Sequence, residues 1–426
     1  MIKKLVTSAI AGTCLMVMAN SASAAQYNVN IYGASAQYTY WTTAAPAFLR
    51  AKGCDAADIR SAAKKVSGRE QGIAWCAGSV GVGGVTGKGI KTGTTYDYND
   101  YFIRYSANAS YDGIMAVQNN GTYMPDADRT AGCANGERLM ANENSVTWVA
   151  YPGNPTTGAI ASVSCKDVVV GASDVAASSF KQKSKGFLTG HKEFGVPGAT
   201  QVVRDIKGIT INTANYSYVR PLVVPFAFFA HNTVPYDNVS RLMVTSIFSG
   251  QVANWQDFSD SNPDLPVVAC LRHAGSGTHS TLDKAVMRGD FPLVQEQITP
   301  DESFGMFPVI WFNSGSSDEM NCINENQGAI GYADADRANM ANTKRLYWMG
   351  ASAIKANITN GLYDFWSNQW LYYAKSESTP VKNLITALNS FAGNAANMPA
   401  SLATYWAAES EMKVGKGSDG EYPSFQ

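Results

Sequence analysis

The sequence predicts an α/β fold with mainly parallel sheets flanked by helices. Short apolar or β-branched runs, among them Val168-Val169-Val170 and residues 222–229 and 267–271, alternate with helical patterns. Four junctions at residues 33–38, 107–110, 173–174 and 272–278 set small or hydroxyl residues after a strand pattern. In parallel α/β sheets such strand ends are where ligands collect. No internal repeat points to a solenoid instead.

Each element has its own signal. Residues 27–32 alternate like a strand, and Gly33-Ala34-Ser35-Ala36 breaks them. Tyr38, Trp41, Ala45, Phe48 and Leu49 then mark a helix face, in which Pro46 predicts a kink or a second start. The Gly- and Thr-rich residues 78–94 are an expected exposed loop. Residues 101–105 read as a strand followed by a helix, and the polar residues 119–146 as a long insertion. Residues 239–248 are helical in pattern and stop at Ser249-Gly250. The strand at 267–271 runs straight into RHAGSGT, after which Leu282, Ala285 and Val286 share a helix face. Residues 329–332 give one more short strand, and residues 379–412 a mostly helical end.

The first 25 residues carry Lys3 and Lys4, an apolar run and the small residues Ala22-Ser23-Ala24, the pattern of a cleavable export signal. That run is too short for a membrane span. Thr13 before Cys14, and the apolar run continuing past it, argue against lipid attachment. The formal net charge is −1, and loss of Lys3 and Lys4 takes it to −3. Such a charge offers no lure for nucleic acid or an acidic membrane surface. Six cysteines remain: Cys54, Cys76, Cys133, Cys165, Cys270 and Cys322. In an oxidising compartment they predict three disulfides, and proximity along the chain suggests 54–76, 133–165 and 270–322 among the possible pairings. Metal-binding spacings such as C-x-x-C are missing.

The chemistry sits in the four junctions. Helix N-termini offer unpaired N–H groups and partial positive charge, which suits an anion. Arg272 adds a fork-shaped cation that does not titrate away. Ser276 and Thr278 can donate hydroxyl protons, while Gly275 and Gly277 let the backbone turn its N–H groups inward. Asp174 repels a bare anion but accepts a hydrogen bond from a protonated one, so it would favour phosphate over sulfate. The competing reading is ordinary: a surface arginine, a strand-to-helix turn capped by Ser276, or a helix that starts later at Ser280-Thr281-Leu282-Asp283.

Five segments in order resemble the periplasmic phosphate-binding proteins of bacterial ABC transporters. They are YGASAQY (32–38), YSANAS (105–110), VGASDVA (170–176), LVVPFAFF with IFSGQVANWQDF (222–258) and LRHAGSGT (271–278). NENQGAIGYADAD (324–336) resembles the family's return crossing between lobes. The resemblance implies a two-lobed, type II solute-binding fold with the ligand in the interlobe cleft. Lobe one would hold residues 26–220 with 335–426 returning to it, and lobe two residues 221–334. It implies that the backbone at Gln37 and Tyr38 touches the anion, that Ser110 donates, and that Asp174 takes the ligand's proton. Arg272, Ser276, Gly277 and Thr278 would grip the remaining oxygens. It further implies a monomeric, non-enzymatic binder, periplasmic or secreted, that needs no cofactor or metal and hands phosphate to membrane permease subunits. Three features depart from the pattern: Gln37 stands where a small hydroxyl is usual, Ala274 where an acid usually flanks the arginine, and residues 115–165 are longer than the family needs.

Rival chemistries are weaker. A secreted hydrolase on the same fold would need a nucleophile and base; His273 and His279 flank the loop, but no G-x-S-x-G elbow or H-E-x-x-H is present. GVGGVTGKG (81–89) lacks the glycine and hydroxyl of a P-loop. Asp126, Asp128, Thr130 and Glu137 have calcium-loop spacing, but Ala131 fills the turn position that demands glycine. A surface adhesion role, using the insertion, would not require anion binding.

Overall fold

The computed structural model describes residues 24–66, 69–121, 132–180, 183–187, 201–205, 208–288, 309–313 and 315–426. The expected signal core, Asp126, Asp128, Thr130 and His191 lie outside these residues. Strand β1 (Gln26–Ala34) leads through a single turn into α1 (Tyr38–Ala51). The hairpin β2 (Ile59–Val66) and β3 (Arg69–Cys76) precedes β4 (Asp100–Asn108) and α2 (Ser110–Val117). Next come β5 (Glu137–Ala141), β6 (Val149–Ala150), β7 (Val163–Asp167) and β8 (Val170–Ser173). Strand β9 (Tyr216–Val219) is followed by β10 (Leu222–His231), α3 (Arg241–Phe248), β11 (Val268–Arg272) and α4 (Gly277–Thr281). Then follow β12 (Val309–Asn313), α5 (Ser316–Glu325), β13 (Ala329–Asp334) and β14 (Thr343–Arg345). The chain ends with β15 (Trp366–Asn368), β16 (Trp370–Ala374), α6 (Thr379–Ala392), β17 (Ala407–Ala408), β18 (Val414–Gly415) and β19 (Ser424–Phe425).

Two large sheets organise the described residues. The first runs β9-β16-β8-β1-β4-β3-β2-β6 and the second β12-β11-β13-β10-β14, with β15 and β17 also paired to β10. The α/β reading stands, but the sheets are mixed rather than mainly parallel. Parallel pairing joins β1 to β8 and β4, and β11 to β12 and β13. The flanking pairs, β2 with β3 and β3 with β4, are antiparallel, as are β10 with β13 and β14. A short link such as that between β2 and β3 permits only antiparallel return, whereas a parallel partner needs a crossover. Of the parallel-paired strands, β1, β4, β11 and β12 run on into helices α1, α2, α4 and α5.

All ten residues of β10 are buried, which accounts for its unbroken apolar run. Its side chains join a core with Phe248, Trp255, Leu271, Ile330, Trp366 and Trp406. Full burial of one such side chain contributes roughly 1.5–3 kcal/mol. Helix α1 is one continuous helix through Pro46, not two. Trp41, Ala45, Phe48 and Leu49 are all buried on its inner face, and this packing fixes the axis despite the missing N–H. The expected helical end stops at Ala392, and Ala407–Ala408 instead extends β10's pairing.

The disulfides are Cys54–Cys76, Cys133–Cys165 and Cys270–Cys322, the pairing suggested by proximity. The last joins β11 to α5 across 52 residues, a constraint worth roughly 4 kcal/mol in the chain-entropy account.

Candidate functional site

The four junctions meet at one place. Strand β1 delivers Gln37 and Tyr38 at the start of α1, and β4 delivers Ser110 as the first residue of α2. Strand β8 delivers Asp174, and β11 delivers Arg272 and the turn into α4. The Asp174 N–H donates to Ser110 Oγ at 3.2 Å, and Ser110 Oγ lies 3.3 Å from Asp174 Oδ2. Gln37 Nε2 donates to Ser173 O at 3.1 Å and sits 3.5 Å from Asp174 Oδ1. The second sheet closes onto these groups. A Cβ added to Gly277 would lie 2.3 Å from Ser110 Oγ and 2.9 Å from Asp174 Cβ. The Tyr111 N–H donates to Gly275 O at 3.1 Å.

Local sequence explains the approach. Gly33 has φ +138, and a Cβ there would lie 2.1 Å from Ala172 O, so only glycine lets β1 and β8 end side by side. The first turns of α1 and α2 have no side-chain cap. Backbone carbonyls serve instead, the Tyr38 N–H donating to Ser35 O and the Tyr111 N–H to Gly275 O, so the Tyr38 N–H expected at the anion is already engaged. Ser276 caps α4 by accepting from the His279 N–H at 3.4 Å, so the helix starts at Gly277 and not at the later capping box.

Gln37, Ser110, Asp174, Arg272, Ser276 and Thr278 are each at most 2% exposed. Tyr38 is the exception, half-buried, with its hydroxyl donating to Gln71 O at 3.3 Å. Arg272 Nη1 donates to Ser316 Oγ at 3.0 Å. Thr278 Oγ1 is buried with no hydrogen-bond partner among the described residues. An open cleft lies beside the cluster. Ser35 and Asn108 line it from the first sheet, Ser316, Asp318 and Arg337 from the second side.

Burial sets the electrostatics. It pushes the Asp174 carboxyl up to about 7, helped by the charge of Asp334 and opposed by Gln37, Arg272 and Ser110. Burial raises Glu319 well above the usual carboxylate range, while Arg272 and the Tyr332 N–H pull it back. Burial also pushes His279 down to about 4. Its ring stays neutral near pH 7, with Nδ1 2.5 Å from Tyr332 OH. His273 Nδ1 accepts from the Gly275 N–H at 3.1 Å. These ring bonds, and the cap role of Ser276, point away from a serine–histidine nucleophile.

Sequence reading missed the second side of the arginine. Ser316 and the fully buried Glu319 come from α5 and supply the surroundings that Ala274 could not. Ala274 is packing, buried with Tyr32 and Tyr372. A serine and an acid in a helix's first turn look like ordinary capping, so SSDE gave no distinctive signal. The long insertion also has a local task. Both Arg138 and Asp112 are fully buried; Arg138 Nη2 donates to Asp112 Oδ1 at 2.9 Å and Nε to Oδ2 at 3.3 Å. Tyr32 OH and Asn108 Nδ2 donate to the same carboxylate at 2.8 and 2.9 Å. The insertion thus braces α2, two residues past Ser110. Cys133, Glu137 and Cys165 lie close enough to suggest a metal, but both sulfurs are spent in the disulfide.

Solved structures with a similar course include a putative phosphate ABC transporter substrate-binding protein with bound phosphate from Clostridium perfringens. It shares 14% identity and a TM-score of 0.45, covering 85% of this chain and 92% of that one. A high affinity periplasmic phosphate-binding protein, PfluDING, bound with phosphate, shares 12% identity and a TM-score of 0.43, covering 88% and 89%. An ABC-type phosphate transport receptor from Vibrio cholerae shares 15% identity and a TM-score of 0.33, covering 42% and 68%. The profile of the PBP superfamily domain matches residues 95–393, more than half of the chain and including Ser110, Asp174, Arg272 and Gly277. The chain belongs to the PBP superfamily.

Proposed function

We propose that this protein is an extracytoplasmic solute-binding protein that captures inorganic phosphate and delivers it to the permease of an ABC transporter. The observation that carries the reading is that Asp174 and Arg272 are both buried and near enough for the arginine's charge to act on the carboxyl, with Ser110 and Gly277 beside Asp174, in one cluster built from both sheets. Arg272, the hydroxyls of Ser110, Ser276 and Thr278, and the N–H groups at Gln37 and Gly277 replace the anion's water. The buried carboxylate of Asp174 accepts the proton that phosphate carries and sulfate lacks. Binding rather than turnover is the role. Two lobes, one around each sheet, close on the anion by hinge motion, and a dry cleft strengthens each bond. Residues after 335 serve both lobes: β16 belongs to the first sheet, while β14, β15 and β17 pair with β10 in the second. The protein acts as a monomer, and its three disulfides suit an oxidising compartment. Among the described residues no helix is long and apolar enough to cross a membrane.

The test is a pair of calorimetric titrations at pH 8 with phosphate and sulfate. The wild type should prefer phosphate. Asp174→Asn should narrow that preference by about tenfold or more, the worth of one charge-assisted hydrogen bond. An unaltered preference rejects the role given to Asp174.

A further inference from the structure

The C-terminal hairpin of β18 and β19 does not look functional in sequence. KGSDGEY reads as a solvent turn. In the fold, however, Lys416 and Asp419 are each under a tenth exposed. Asp419 Oδ2 accepts from the Ala176 N–H at 2.7 Å and from Ser179 Oγ at 2.6 Å. Ala176 is two residues beyond Asp174, so this carboxylate holds the turn that carries the anion-facing acid. The next residue reaches the other side. Gly420 O accepts from Arg288 Nη1 at 2.6 Å, and the Arg288 guanidinium lies 3.4 Å from the centre of the Tyr422 ring. Arg288 ends the helical run that begins at Gly277.

A third anchor sits under the hairpin. Lys416 Nζ donates to Asp364 O and Trp366 O, both at 2.7 Å, and Trp366 pairs with Pro225 of β10. Asp364 Oδ2 in turn accepts from Arg288 Nη2 at 3.1 Å and Arg241 Nη2 at 2.7 Å. Five consecutive residues, 416–420, therefore touch the Asp174 turn, the end of the Gly277 helical run and the strand beside β10. A buried carboxylate and a buried ammonium on one short turn cost solvation and persist only where such bonds offset it.

We propose that Asp419 is a positioning residue for the anion site, and that the C-terminal hairpin is a latch tying the Asp174 turn of one half to the Arg288 end of the other. The latch sets how long a captured anion stays. It rests on the phosphate reading only for the choice of ligand. Asp419 touches no ligand; it acts through the 174–179 turn. Its loss lets that turn and the closed arrangement loosen, so release quickens while capture, which begins from the open form, does not.

Two measurements on the full-length mature protein test this. Stopped-flow tryptophan fluorescence gives association and dissociation rates for inorganic phosphate. Hydrogen exchange of the ligand-free protein reports the amides of residues 174–179 without any ligand. Asp419→Ala is expected to raise the dissociation rate about tenfold, to change the association rate by less than about twofold, and to speed exchange at 174–179. Asp419→Asn, which keeps one acceptor oxygen, should fall between, and Ser179→Ala, which removes one of the two bonds, should shift both readouts the same way by about threefold. Lys413→Ala, on an exposed hydrogen bond to Asn360, is the unchanged control. If the wild type binds phosphate and Asp419→Ala alters neither dissociation nor exchange, the latch is refuted and the phosphate reading stands. If the wild type does not bind phosphate yet Asp419→Ala loosens 174–179, the ligand assignment fails and the positioning role holds.

Discussion

Replacing Arg272 by alanine is expected to weaken phosphate binding by about 100-fold, and by no less than about tenfold. Among the described residues Arg272 is the one cation of the cluster, held at 1% exposure with Nη1 on Ser316 Oγ at 3.0 Å. Its fork can give two charge-assisted hydrogen bonds to one anion, each worth roughly 1.5–3 kcal/mol. Truncation also removes the positive charge that restrains Glu319, which then takes up a proton more readily. Arg272→Lys separates charge from geometry: it keeps the cation, loses the fork, and should recover only part of the affinity. Phosphate calorimetry reads both variants, with the melting temperature of the ligand-free protein recorded beside it. Wild-type affinity in Arg272→Ala would reject the site.

Gly277→Ala is expected to cost about 10–100-fold in phosphate affinity although it adds a single methyl group. That methyl would lie 2.3 Å from Ser110 Oγ and 3.0 Å from Asp174 Oδ2, groups carried by the other sheet. The backbone at 277 is helical with no positive φ, so alanine suits the helix itself. The clash thus falls on the approach of the two halves rather than on folding of either. The ligand-free melting temperature should stay near the wild-type value while the titration weakens. An unchanged dissociation constant would show that Gly277 does not meet Ser110 and Asp174 in the binding form.

These expectations rest on features that differ in how legible they were. Strand ends followed by small or hydroxyl residues are a local pattern, and Gly33, Ser110, Asp174 and Gly277 were all visible as such. Their meeting was not local, and a resemblance in the order of five segments stood in for it. Pro46 did not start a second helix because propensity speaks for the isolated helix, whereas Trp41, Phe48 and Leu49 bury against the core and keep α1 continuous. The mixed sheets were illegible for a related reason: the direction of pairing depends on which strands meet, not on their composition. Ser316, Glu319 and Asp419 escaped because serine and acids near helix starts and turns are ordinary. Only the fold reveals that their partners are Arg272, Tyr332 and Ala176.

Native mass spectrometry of the purified, unstripped mature protein tests the central claim most directly. One phosphate per chain should survive gentle desolvation in the wild type and be absent from Arg272→Ala prepared in the same way. A wild-type chain that stays bare in excess phosphate, or an adduct that persists in Arg272→Ala, would contradict the assignment of this buried cluster to phosphate.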